Sequence, residues 1–126
     1  ISMIETQQAL SNVEAIAATP GLDGLYIGPS DLSLSLGLIP HQDSREPVMV
    51  KAIDRILAAA KDNGLIAGIH NASGAYAYEM GQKGFDLVTV SNDTRLLASA
   101  ASAAVSSARG IDGSGGEAVS GSTGGY

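Results

Sequence analysis

Two acidic residues carry the strongest chemical signal in this chain. Glu5 directly follows the short apolar run Ser2-Met3-Ile4, and Asp31 stands just past the run Leu25-Tyr26-Ile27. Both runs read as strands, so both acids stand at strand ends. The second run stops at Gly28-Pro29, because proline has no N–H for a ladder and glycine is a flexible break. In parallel α/β folds, ligands gather beyond the carboxyl ends of strands. A pair of acids at the tops of neighbouring strands is therefore a candidate site for a hard, oxygen-seeking divalent cation. The competing reading is two carboxylates that cap the helices following them.

Composition bounds the rest. The 126 residues suffice for one ordinary domain, and 44% hydrophobic against 16% charged residues supports a packed core. A net charge of -6 argues against a nucleic-acid surface, which calls for a basic patch. Cysteine is absent, which removes disulfides and thiolate chemistry and suits a cytoplasmic location. No apolar run approaches the ~20 residues of a membrane span. The chain starts at Ile1, inside a strand pattern, which points to a piece of a longer protein.

The elements that must position the acids follow in order. Residues 1–4 read as the first strand, and Thr6 can cap the next helix. Leu10, Val13, Ile16 and Ala17 mark that helix's apolar stripe, which ends at Pro20-Gly21. Residues 22–27 give the second strand, and residues 32–37 a short helical turn. Ser44 is the expected cap of the next helix, with Pro47 in its first turn. Its stripe is Val50, Ile53, Ile56, Leu57 and Ala60, and Asn63-Gly64 stops it. Residues 65–69 form the third strand, leading to His70-Asn71. Residues 72–82 form a weaker helix with Tyr76, Ala77 and Met80 inward and Ser73 as its cap. Residues 85–90 give the fourth strand, and residues 94–108 an Ala-rich helix capped by Asp93 or Thr94. Beyond Gly110 the chain is rich in Gly and Ser and reads as a flexible tail over residues 110–126.

This pattern is a strand followed by a helix, four times over. Strands apolar on both faces in such a repeat imply a parallel sheet covered on both sides. Four βα units make a small open sheet or half of an eight-fold βα barrel, which needs about 250 residues. Standing alone, the half would leave two unpaired edges and a bare inner face. A partner is expected: a missing N-terminal half or a second copy.

Met3-Ile4-Glu5-Thr6, Asn12-Val13 and the block from Gly24 to Ser33, with Gly-Pro-Ser-Asp-Leu-Ser at its centre, resemble the HpcH/HpaI aldolase family. Gly68-Ile69-His70 and Leu87-Val88-Thr89-Val90 extend the resemblance, which covers about residues 1 to 109. It implies an α/β fold, the C-terminal half of a (β/α)8 TIM barrel. The implied activity is metal-dependent, class II aldol cleavage of a hydroxy-oxo acid to pyruvate and an aldehyde through a metal-stabilised pyruvate enolate. Glu5 and Asp31 would be the metal ligands, with Mg²⁺ expected and Mn²⁺ or Co²⁺ as alternatives. The backbone N–H groups of Ser30 and Asp31 would hold the substrate carboxylate. Met3 would lie beside the substrate, where many relatives place a Gln that hydrogen-bonds to it. The family's catalytic His and Arg lie on earlier strands, so no residue here takes those roles and the isolated chain is expected to show no turnover. The resemblance also implies a homo-oligomer, a hexamer among the options, with the last helix swapped between subunits.

Other features read more plainly. His70 at the top of the third strand is more often structural than catalytic. His41 lies in a polar loop. Ser73-Gly74 and Gly110-Ile111-Asp112-Gly113 match no nucleotide-binding pattern. The rival functional reading is a non-catalytic half-barrel assembly module. Within the superfamily, a citrate-lyase-like or an oxaloacetate-decarboxylating, macrophomate-synthase-like relative is the variant.

Overall fold

The computed structural model describes residues 1–111. They fall into two compact units, Ile1–Ser91 and a segment that begins at Asn92. The first unit holds four strands: β1 (Ser2–Ile4), β2 (Gly24–Ile27), β3 (Ile66–Asn71) and β4 (Leu87–Val90). All pair in parallel, in the order β1-β2-β3-β4. The helices between them are α1 (Gln7–Ser11), α2 (Val13–Ala17), α3 (Pro29–Ser35), α4 (Pro47–Asp62) and α5 (Gly74–Lys83). The second unit contains α6 (Asp93–Ala108), none of whose residues is buried. Four βα units in sequential strand order are the expected half of a βα barrel. Most of the proposed tail falls outside the described residues.

The two faces of the sheet differ. Register aligns Ile4, Ile27, Ile69 and Val88 on one face. The three isoleucines are fully buried there, beside Val13, Leu32, Ile53, Ile56 and Met80 from the helices. The opposite face carries Met3, Tyr26, Gly68 and Leu87 in one row. It is largely open: Ile1, Met3, Ile66 and Leu87 are 63%, 53%, 44% and 38% exposed. Apolar strands thus coincide with cover on one side only, and the expectation of a sheet covered on both faces does not hold for this chain.

Several local expectations also change. The first helix is broken at Asn12, whose N–H bonds to both Gln8 O and Ala9 O while its amide Nδ2 donates to Gln8 O. Asparagine competes with the helical ladder in this way. Ser44 does not cap α4. The cap is Glu46, without a side-chain bond, and Pro47 follows it in the first turn. Ser44 is instead buried, and its carbonyl accepts a bond from the Tyr76 hydroxyl at 3.0 Å. The α4 stripe includes Met49, Ala52 and Ala59, while Val50 and Leu57 are only half-buried. The cap of α6 is Asn92, which accepts from Arg95 N–H at 2.9 Å; Asp93 and Thr94 lie inside the first turn.

Surface charge pairs tie helices to each other and to the sheet. Arg55 on α4 grips both carboxylate oxygens of Glu14 on α2, at 2.7 and 2.8 Å. That bond holds the Glu14 carboxyl down to about 2. Asp86 accepts from Ala67 N–H and from Lys61, which lowers its carboxyl below the usual range. A carboxyl lowered in the folded state stabilises above its unfolded pKa and loses that effect as pH falls through its folded value. For Glu14 the contribution is complete above about 4.5 and gone near 2. Arg55→Met is therefore expected to return the Glu14 titration toward 4.5, read by carboxyl carbon NMR over that acid range.

Candidate metal centre

The acids flank the junction between β1 and β2. Gly28 N–H donates to Ile4 O at 3.4 Å, one step beyond the paired residues Ile4 and Ile27. That continuation of the ladder sets the residue after Ile4, Glu5, beside Gly28. Pro29 then starts α3 with a fixed φ that suits the first helical position. Asp31 falls in the first turn of α3, where the helix dipole favours a carboxylate.

Gly28 is required by proximity. A Cβ there would lie 3.0 Å from Glu5 Oε2 and 3.2 Å from Glu5 Cβ. The glycine thus leaves room for the acid to lie against the strand end. Gly28→Ala is expected to cost a little stability, because the added methyl meets Glu5 Cβ as well as its carboxylate, and to weaken divalent-ion binding about 10-fold by misplacing that carboxylate. Titration calorimetry beside a thermal melt separates the two effects.

Glu5 and Asp31 line one pocket of about 260 Å³ together with Met3, Tyr26, Gly28, Pro29, Ser30, Gln42 and His70. The structure thus brings together every residue singled out from the sequence for metal or substrate: Glu5, Asp31, Ser30 and Met3. Neither carboxylate takes part in a salt bridge or a side-chain hydrogen bond among the described residues. So neither acts as the side-chain cap that the competing reading required. No three His, Cys, Asp or Glu side chains group together among those residues. An ion held here would therefore take two protein oxygens, and its other positions would go to water or substrate, as hard cations accept. The donor set fits such an ion: two carboxylates, unpartnered, in an open pocket.

The first turn of α3 adds donors. Leu32 N–H bonds back to Gly28 O at 3.0 Å and starts the helical ladder. The N–H groups of Ser30 and Asp31 precede that point and have no carbonyl of the helix to meet. The loop of residues 36–46 is held over the region by its own anchors. Asp43 accepts from Ala72 N–H at 2.7 Å, Ser73 N–H at 3.0 Å and Ser73 Oγ at 2.7 Å. Arg45 pairs with Glu79 and lies over the Tyr76 ring, 5.4 Å from its centroid. This anchoring places Gln42 at the pocket. A wider groove of about 780 Å³ runs along the same loop, but its Asp43 and Arg45 are already engaged.

Sequence reasoning missed Tyr26 and Gln42. Tyr26 had a usable signal: it alternates with the buried Leu25 and Ile27, so it faces away from the helices, on the side of Met3 and Gly28. Gln42 had none, since only tertiary contacts hold its loop.

A parallel βα sheet with its pocket at the carboxyl ends of the strands defines a βα-barrel ligand site. The sequence profile of the HpcH/HpaI aldolase/citrate lyase family matches residues 1–100, and the chain belongs to that family. It is 39% identical over 111 residues to a hydroxypyruvate/pyruvate aldolase of Rhizorhabdus wittichii, spanning 88% of this chain and 44% of that protein. It is 40% identical over 97 residues to a 5-keto-4-deoxy-D-glucarate aldolase of Klebsiella pneumoniae, spanning 77% of this chain and 37% of that protein. A crystal structure of a family protein from Burkholderia cenocepacia superposes with a TM-score of 0.80 at 38% identity, covering 85% of this chain and 41% of that one. The chain thus spans less than half the length of these relatives. Among the described residues, no helix is long and apolar enough to cross a membrane.

Proposed function

We propose that this chain forms the metal-holding half of a class II aldolase that reversibly cleaves a hydroxy-oxo acid to pyruvate and an aldehyde. One observation carries the reading: two carboxylates with no side-chain partner among the described residues share a pocket at the ends of adjacent parallel strands. The names of the aldolase relatives support the reaction class.

Each residue then has a role. Glu5 and Asp31 hold a divalent ion, Mg²⁺ first, with Mn²⁺ or Co²⁺ able to use the same oxygens. When bound, the ion supplies Lewis-acid stabilisation of negative charge on a keto oxygen. The N–H groups of Ser30 and Asp31 receive the substrate's carboxylate. Met3 packs beside the substrate and excludes water without a directed bond. Proton transfer belongs to residues outside this chain, so these 126 residues alone carry out no turnover.

The open sheet face supports a larger assembly. Exposed Met3, Ile66 and Leu87 suit burial inside a barrel closed by four further βα units. In α6, Leu96, Leu97 and Val105 are exposed, which suits packing against another subunit of a homo-oligomer with this helix exchanged. Calorimetric titration of the full-length protein tests the core of the reading. Mg²⁺ should bind first, and pyruvate only in its presence. Pyruvate binding that survives chelation of the ion overturns it.

A further inference from the structure

Three side chains form a hydrogen-bonded line across the open face of the sheet. Tyr26 Oη lies 2.6 Å from Thr89 Oγ1, and Thr89 Oγ1 lies 2.8 Å from His70 Nδ1. The line runs from Tyr26 on β2 across β3 to Thr89 on β4, and back to His70 on β3. Thr89 sits in register with His70, whereas Tyr26 sits in register with Gly68. A Cβ on Gly68 would lie only 2.6 Å from Tyr26 Cδ2. The bare glycine lets the Tyr26 ring lie across β3 and reach Thr89. Tyr26 and His70, the two ends of the line, both line the Glu5–Asp31 pocket.

The Thr89 hydroxyl has a single proton to give. A phenol is a far stronger acid than an aliphatic alcohol, so Tyr26 is the better donor of the pair. With Tyr26 O–H donating to Thr89 Oγ1, the Thr89 proton is left to give to His70 Nδ1. With Nδ1 an acceptor, the neutral imidazole carries its own proton on Nε2. The pocket's two carboxylates offer acceptors only when ionised. An oxygen-rich, anionic ligand therefore needs donors from elsewhere in the lining, and a neutral Nε2–H is one.

We propose that His70 binds substrate through Nε2–H, which meets an oxygen of the oxo acid in the Glu5–Asp31 pocket. Tyr26 and Thr89 are positioning residues that fix its tautomer. The proposal rests on the oxo-acid reading of that pocket and assigns a contact which that reading leaves open.

Nitrogen NMR of histidine in the full-length protein at neutral pH reads the tautomer directly. The wild-type protein should show Nε2–H, with that resonance shifting when pyruvate is added with Mg²⁺. Thr89→Val should give a mixed tautomer. It should weaken pyruvate about 3- to 10-fold, the worth of one hydrogen bond, with Mg²⁺ affinity unchanged. His70→Leu should lose more, and His70→Gln, which keeps an N–H donor, should recover part of the loss. An Nδ1–H tautomer in the wild type, or unchanged pyruvate affinity in a folded His70→Leu protein that still binds Mg²⁺, overturns the proposal alone. A wild-type protein that binds neither ion nor pyruvate overturns the pocket reading and this proposal with it.

Discussion

Asp31→Asn and Glu5→Gln are each expected to weaken Mg²⁺ binding by about 100-fold, equivalent to ~2.8 kcal/mol, in full-length protein. The reasoning starts from the donor count. Among the described residues two carboxylates line the pocket, so either substitution removes half of their negative charge at the ion. Altering a mere supporting residue of a metal site costs about 10- to 100-fold, and losing a ligand stands at or beyond the upper end. The same variants should hardly change the stability of the metal-free protein. Neither carboxylate has a protein partner to lose among the described residues. Asp31→Asn gives up only its favourable place at the start of α3, worth about 0.3–1 kcal/mol. With Mg²⁺ at 100 times its dissociation constant, the wild type should gain about 2.7 kcal/mol by mass action, and the variants much less. Thermal melts with and without Mg²⁺ measure both effects. A variant that melts lower without the ion, yet gains as much from it as the wild type, shows that these acids are structural.

The strand-end acids were legible because strong local signals frame them. An apolar run followed by Gly28-Pro29 leaves few conformations other than a strand, a turn and a new helix, and Asp31 is carried along. Period-two alternation likewise separates Leu25 and Ile27, which face the helices, from Tyr26, which does not. What stayed hidden depends on register or on competition between neighbours. The Tyr26–Thr89–His70 line requires knowing that β3 lies between β2 and β4 and that Thr89 aligns with His70. No local pattern carries that alignment. Ser44 is a good cap by residue type, but Tyr76 holds its carbonyl from 32 positions away, and Pro47 shifts the helix start to the residue after Glu46. Asn12 looks harmless in a helical stripe until its side chain competes for Gln8 O.

The site also depends on a sheet that is packed from one side, and the second large effect follows from that. Ile69→Ala is expected to lower unfolding free energy by about 2–5 kcal/mol, through lost transfer energy and the cavity left behind. Ile69 is fully buried in the row with Ile4 and Ile27, against the helices. Small domains have about 5–15 kcal/mol in total. In this chain the opposite sheet face exposes Met3, Ile66 and Leu87, so it contributes little burial to offset the loss. The isolated chain should therefore be close to unfolded as Ile69→Ala. In the proposed longer protein, where further βα units would cover the open face, the same change should read as a clear drop in denaturant midpoint. Leu87→Ala should do the reverse, costing little in the isolated chain and more where a barrel interior surrounds it. Urea titrations of both variants in both lengths test this. Equal losses for Leu87→Ala in the two lengths would mean that nothing covers this face in the longer protein, and with it the barrel assembly fails.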